Sequence, residues 1–219
     1  MYFRDRADAG RQLAAKLNHY AGRTDVVILA LPRGGVPVAF EVARALRAEL
    51  DVFLVRKLGV PGYEELAMGA VASGGVRVLN ADVVDPLGIP EHLIESVAAR
   101  EQRELERRER VYRAGSPPPE VRERTVILVD DGLATGSTMR AASVALRQRQ
   151  PERVVVAVPI SSPQTCDAIR AEVDEIVCTI TPEPFYAVGI WYEDFSQITD
   201  DEVRDLLRRA AVERQRRAA

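Results

Sequence analysis

The chain has 219 residues, 47% hydrophobic and 29% charged, which fits one globular domain with a full core and excludes a disordered or low-complexity chain. A formal net charge of −3 excludes a polybasic nucleic-acid coat, and two cysteines, Cys166 and Cys178, are too few for a disulfide framework and lack metal-ligand spacing. The N-terminus carries charges where a signal peptide needs an apolar core, and no apolar run approaches bilayer-spanning length, so a reducing, cytoplasmic setting without a membrane is expected.

Residues 5–21 are predicted to form a helix, with Leu13, Leu17 and Tyr20 on one face and Gly22 at its end. A buried strand over 26–31 leads into Pro32-Arg-Gly-Gly35, and Val36, Ala39, Phe40, Ala43 and Leu46 then recur at helical spacing. Residues 51–55 read as the next strand, ending in Arg56-Lys57. Gly59, Pro61 and Gly62 make 57–66 an expected flexible loop. Residues 67–72 and 76–79, joined through Ser73-Gly-Gly75, predict a hairpin. A long charged helix over 91–113 carries a thin apolar stripe, with Glu104–Arg108, Glu106–Arg110 and Glu109–Arg113 as supporting i,i+4 pairs, and Ser116-Pro-Pro-Pro119 ends it. Strands at 126–129, 154–158 and 175–180 alternate with helices at 139–149 and 164–172, and Thr199-Asp-Asp-Glu202 opens a C-terminal helix over 199–213. Strands alternating with helices predict an α/β, doubly wound, mostly parallel sheet, in a single domain over 1–219 with its core at 26–180.

Residues 126–138, Val-Ile-Leu-Val-Asp-Asp-Gly-Leu-Ala-Thr-Gly-Ser-Thr, carry the most specific chemistry. An apolar strand runs into two carboxylates, a loop of small and hydroxylated residues follows, and a helix begins. This is the carboxyl end of a strand in an open sheet, where ligands bind. The amides of Thr135, Gly136, Ser137 and Thr138, with the partial positive charge of the helix start, suit a phosphate. Asp130 and Asp131 would repel that phosphate, so they are expected to face sugar hydroxyls or a hydrated divalent cation. Phosphate, ribose and Mg²⁺ together describe a phosphoribosyl pocket.

At Val129-Asp-Asp-Gly-Leu-Ala-Thr-Gly-Ser-Thr-Met139 the chain resembles the type I phosphoribosyltransferases, which bind 5-phosphoribosyl-1-pyrophosphate (PRPP). The resemblance implies a Rossmann-like core with a small hood at 181–197. It implies Mg²⁺-dependent transfer of ribose 5-phosphate from PRPP to a nitrogenous base, with pyrophosphate released, in nucleotide salvage by a homodimer. The expected PRPP-binding residues are Arg33, Gly34, Gly35, Asp130, Asp131, Ala134, Thr135, Gly136, Ser137 and Thr138. Leu31-Pro-Arg-Gly-Gly35 looks like the family's pyrophosphate loop, which often holds a strained or cis peptide. Val55-Arg-Lys-Leu-Gly-Val-Pro-Gly62 is similar to a region of adenine phosphoribosyltransferases, which makes Arg56 and Lys57 catalytic candidates beside Asp131 and makes 57–66 a lid. The stretch from Pro184 to Phe195 resembles the hood of hypoxanthine–guanine enzymes, which implies Phe185 as base stacker and Glu193 or Asp194 as a carboxylate for the metal, beside Asp130 and Asp131 acting through water. Those enzymes carry an acid where this chain has Ala134, so the acceptor base stays open.

The alternative is a catalytically weak regulator that senses PRPP or nucleotides and binds RNA, DNA or a protein partner. Its features would be a basic face built from 91–113 and the C-terminal arginines. Nucleic acid is not otherwise an expected ligand. A dinucleotide-binding enzyme fits poorly, since no GxGxxG follows the first strand and no Walker lysine follows the Gly loop. His19 and His92 fall on predicted helices away from every loop named, as surface or packing residues.

Overall fold

The computed structural model describes residues 2–218. Five parallel strands form the central sheet in the order β2-β1-β6-β7-β8, where β1 is Val26–Ala30, β2 Glu49–Val52, β6 Thr125–Val129, β7 Arg153–Ile160 and β8 Glu175–Ile180. The chain steps one way from β1 to β2 and the other way from β6 to β8. The order therefore reverses between β1 and β6, and a crevice opens beyond their carboxyl ends, at Ala30 and Val129.

The apolar runs of β1 and β6 are buried at every position, as strands covered on both faces must be. Their period-two alternation divides the core. Ile28, Ile127, Val129, Val155 and Ala157 face α1 (Arg6–Lys16) and α2 (Gly35–Leu46). Val27, Leu29, Val126, Leu128, Val154 and Val156 face α5 (Ser137–Arg147) and α6 (Pro163–Arg170). Each fully buried Val, Leu or Ile contributes roughly 1.5–3 kcal/mol, so the two layers hold the strand ends firmly.

The long charged helix α4 spans Glu91–Arg113, as its pattern predicts, and two of its three anticipated pairs form, Arg108–Glu104 and Arg113–Glu109. Its apolar stripe, with Ile94, Val97, Ala98, Leu105 and Tyr112, joins the α1–α2 core. The C-terminal helix α7, Asp200–Ala218, runs past the expected 199–213, and Arg–Asp pairs over 201–209 support its first half. Among the described residues no helix is long and apolar enough to cross a membrane.

Several expectations are corrected. The strand expected over 51–55 is two strands: β2 ends at Val52, and β3 (Val55–Val60) belongs to a separate antiparallel sheet, β3-β4-β5, with β4 at Tyr63–Ala72 and β5 at Val76–Leu79. The predicted lid over 57–66 is consequently the β3–β4 hairpin, turning at Pro61-Gly62. Gly59 looks like loop composition but serves the strand. A Cβ there would stand 2.6 Å from the Glu64 carbonyl, so only glycine admits the close approach at the register shift. Arg56 and Lys57 thus lie within β3 and not at the end of β2. A short helix α3 (Ala81–Leu87) has no counterpart among the predicted elements, since Pro86 and its brevity hide its period. Cys166 on α6 and Cys178 on β8 are joined as a disulfide, a single pair and not a framework. A spacing of 12 residues does not reveal that α6 folds back along β8.

Candidate active site

Two sequence motifs meet at the switch point. β1 ends in the Pro32-Arg-Gly-Gly35 loop and β6 ends in Asp130-Asp131. The Leu31 amide donates to the Val129 carbonyl at 2.8 Å, which extends the β1–β6 pairing into the loop. Gly34 packs straight onto Asp131: a Cβ on Gly34 would fall 2.0 Å from Asp131 Oδ2. A Cβ on Gly35 would fall 2.7 Å from the Val129 carbonyl and 2.9 Å from the Asp130 Cα. The two glycines are therefore required by contact with the acidic pair. The Gly35 amide, assigned to pyrophosphate from the sequence, is engaged by the Leu31 carbonyl at 3.1 Å, whereas the Arg33 and Gly34 amides have no acceptor among the described residues. The peptide joining Pro32 to Arg33 is cis.

The phosphate-type loop is open. Ala134, Thr135, Ser137 and Thr138 are exposed, and Gly136 is buried with φ +73°, a left-handed turn that aims the start of α5 at the loop. Only the Ser137 amide has an internal acceptor, Thr135 Oγ1 at 3.4 Å. The amides of Thr135, Gly136 and Thr138 have none among the described residues. From below, Thr165 on α6 donates its hydroxyl to the Ala134 carbonyl at 2.9 Å, and the Leu133 amide donates to the Ile160 carbonyl at 2.9 Å, which fixes the loop to the end of β7.

The acidic pair has a partner that sequence reading missed. Arg6, on the first turn of α1 and 8% exposed, donates from Nε to Asp131 Oδ2 at 2.8 Å. Asp130 Oδ1 accepts the Asp131 amide at 2.8 Å, and the Tyr192 hydroxyl donates to the Asp131 carbonyl at 2.6 Å. One oxygen on each carboxylate, Asp130 Oδ2 and Asp131 Oδ1, keeps no partner among the described residues. Burial pushes the Asp130 carboxyl well above the usual range, and the neighbouring Asp131 adds to this. Burial also raises Asp131, with Arg6 opposing the rise. The Tyr192 phenol is pushed far up by burial, so it stays a donor.

Other candidates stand apart from this centre. The Arg33 side chain leans toward the start of α7, 3.8 Å from Asp200 Oδ1, and Asp200 also accepts from the Tyr112 hydroxyl at 2.7 Å. Arg56 is held by Glu101 of α4, Nε to Oε2 at 2.6 Å. Lys57 is exposed on β3, in the hairpin that rises from the same sheet edge, where the Phe53 amide still donates to the Ala30 carbonyl. Phe185 is half-buried against the Phe3, Ala9, Ile160 and Tyr192 cluster, the packing role that a hood aromatic commonly takes. Glu193 and Asp194 are exposed; their amides donate to the Phe3 and Arg4 carbonyls, and Asp194 Oδ1 accepts the Ser196 amide. Among the described residues no group of three or more His, Cys, Asp or Glu is placed to hold a metal ion, so neither hood acid joins Asp130 and Asp131 as a ligand cluster.

An open parallel sheet with a free-amide loop, an acidic strand end and a glycine loop converging at its switch point defines an α/β protein with its candidate ligand site at the carboxyl ends of β1 and β6. Residues 3–190 match the family profile described as the phosphoribosyl transferase domain, and the chain belongs to that family. It is 48% identical over 208 residues to two Mycobacterium tuberculosis proteins, from strains CDC 1551 and H37Rv, whose names assign them provisionally as phosphoribosyl transferases. The match covers 95% of this chain and 47% of each relative, so the chain spans about half the length of the curated relatives it matches. The crystal structure of TT1426 from Thermus thermophilus superposes with a TM-score of 0.85 at 45% identity, covering 94% of this chain and 98% of that one.

Proposed function

We propose that the protein is a Mg²⁺-dependent phosphoribosyltransferase that moves the ribose 5-phosphate of PRPP onto a ring nitrogen of a base, releasing pyrophosphate. The observation that carries this reading is the pairing of an open amide loop at 135–138 with two half-free carboxylates one strand end away. The loop suits the 5′-phosphate. Asp130 Oδ2 and Asp131 Oδ1 suit two vicinal ribose hydroxyls, each of which donates one hydrogen bond. The Arg33 and Gly34 amides suit pyrophosphate. Charge grows on the departing pyrophosphate, so fixed donors aimed at it lower the barrier.

The donor set fits a cation held largely by substrate oxygens and water. Two carboxylates without a third ligand make a poor cage for Mg²⁺, which keeps several waters and commonly binds through one or two carboxylates plus phosphates. Bound with its pyrophosphate, Mg²⁺ would supply charge neutralisation, and the free oxygens of Asp130 and Asp131 would accept from its waters.

The acidic pair sets the pH dependence. A protonated carboxyl accepts less well from a hydroxyl, and both groups titrate above the ordinary carboxylate range. PRPP binding is therefore expected to weaken on an acid limb lying above that range. The sign is opposite for the empty fold: both carboxyls are raised in the folded state, so protonating them as pH falls favours folding at this point. Calorimetric titration of PRPP across pH checks the first statement; a limb at the ordinary carboxylate pKa contradicts it. Lys57→Ala is expected to lower turnover roughly 10²-fold, the scale for losing one transition-state contact, with PRPP affinity little changed. Wild-type turnover in that variant removes Lys57 from the chemistry.

The regulator reading is favoured by one observation: Arg33 and Arg56, the cations assigned to pyrophosphate, are both paired with acids, Asp200 and Glu101. Incubation with PRPP, Mg²⁺ and a panel of purine and pyrimidine bases, following pyrophosphate release, separates the two. Release with one base supports the transferase. PRPP binding without release from any base supports the regulator.

A further inference from the structure

We propose that Arg6 is a positioning residue that locks the ribose-anchoring acid Asp131 to the hood, so that the sugar site and the hood form one unit. The proposal rests on reading the acidic pair as the ribose anchor. Three independent contacts fix the guanidinium. Nε donates to Asp131 Oδ2 at 2.8 Å, Nη1 donates to the Ser196 carbonyl at 2.8 Å, and the group lies 3.9 Å from the centroid of the Phe195 ring. The first holds the acid, and the other two belong to the hood segment. A planar fork can serve both directions at once; a lysine ammonium cannot reproduce that geometry.

The surroundings explain why the position needs a cation. Asp130 and Asp131 are adjacent in sequence, and Asp131 pushes its neighbour further toward the neutral form. Asp131 is faced by Arg6 from α1 and by Asp130 on its own strand end. The Tyr192 hydroxyl, from the hood, meets its carbonyl, and Gly34, without a side chain, faces it from the β1 loop. Arg6 is the only positive charge making an ion pair with either carboxylate among the described residues. The N-terminal segment also strengthens the tie: the Phe3 amide donates to the Trp191 carbonyl at 2.9 Å, and the Glu193 and Asp194 amides donate back to the Phe3 and Arg4 carbonyls. This strand-like seam delivers Arg6 into the site beneath the hood. By engaging Oδ2, Arg6 leaves a single oriented oxygen, Oδ1, for the ligand.

The test is PRPP–Mg²⁺ binding by calorimetry on wild type, Arg6→Gln and Arg6→Lys, each at a temperature where its melting curve shows it fully folded. Arg6→Gln is expected to weaken PRPP binding roughly 10- to 100-fold, the range for removing an outer partner that orients a binding group. Arg6→Lys keeps the charge without the planar fork, so its affinity falls between the two. A folded Arg6→Gln protein with wild-type affinity overturns the proposal, since a merely structural role would lower the melting temperature alone. If Arg6→Gln does not fold, Arg6→Lys decides alone: weakened binding by the folded protein supports the role and wild-type affinity overturns it. Wild-type protein that binds no PRPP sinks the ribose-anchor reading itself, and the role of Arg6 with it.

Discussion

Asp131→Asn is expected to damage stability and turnover together. The substitution removes the carboxylate that faces Arg6 across an ion pair whose side chains are 9% and 16% exposed. Breaking such a buried pair by deleting one partner costs about 3–5 kcal/mol, because a charge is left without compensation. Part of that loss is offset here: Asp130 is relieved of a neighbouring negative charge, and Arg6 keeps the Ser196 carbonyl and the Phe195 ring. The net destabilisation should therefore fall below that range while staying large enough to lower the melting temperature visibly. In the proposed reaction the same oxygen set anchors ribose, so turnover should fall by roughly 10²-fold or more. Thermal melts and pyrophosphate release measure the two effects on one preparation. A variant that melts and turns over like wild type contradicts both the pairing and the anchoring role.

Gly34→Ala should be nearly as harmful, through geometry alone. The added methyl would sit 2.0 Å from Asp131 Oδ2 and 2.6 Å from its Cγ, distances that no contact tolerates. Asp131 cannot swing away freely, since Arg6 pins that same oxygen and Tyr192 holds its backbone carbonyl. Either the β1 loop lifts, taking the free Arg33 and Gly34 amides out of line, or the ion pair breaks. Overpacking of this kind costs about 1–3 kcal/mol in stability. Because both routes disturb the ligand's contacts, PRPP binding is expected to fall by roughly 10²-fold, the loss typical when positioning fails by about an ångström. Calorimetry on Gly34→Ala checks this, and unchanged PRPP affinity would show that the loop–acid contact does not shape the site.

What could be read in advance follows from how locally each feature is encoded. The central strand, acidic pair and amide loop are contiguous over 126–138, so their chemistry and their order are visible together, and the structure places them at the switch point. The limits of α4 are legible because its acids and arginines stand four residues apart and Ser116-Pro-Pro-Pro119 cannot continue a helix; the chain leaves it at Ala114 and Gly115. The part of the β3–β4 hairpin over 57–66 reads as a loop because its glycine admits a neighbouring backbone, a need that only the paired strand reveals. Arg6 is invisible for a different reason. It meets Asp131 across 125 residues, and it is one of 28 arginines among 30 basic residues, so composition offers no mark to single it out. Tyr192 likewise reaches the site only through the fold of the hood, 61 residues from its acceptor. Aromatic clustering near the C-terminus marks the segment without telling its rings apart: Phe185 packs into the hood while Phe195 lies on Arg6.

In the proposed complex the amides of residues 135–138 cradle the 5′-phosphate while Asp130 and Asp131 take the sugar. A crystal structure of the protein with PRPP and Mg²⁺ tests it most directly. The 5′-phosphate is expected on the Thr135, Gly136 and Thr138 amides, with ribose hydroxyls on Asp130 Oδ2 and Asp131 Oδ1 and Arg6 still on Asp131. Density for PRPP elsewhere, with the loop empty and the two carboxylates untouched, would contradict it.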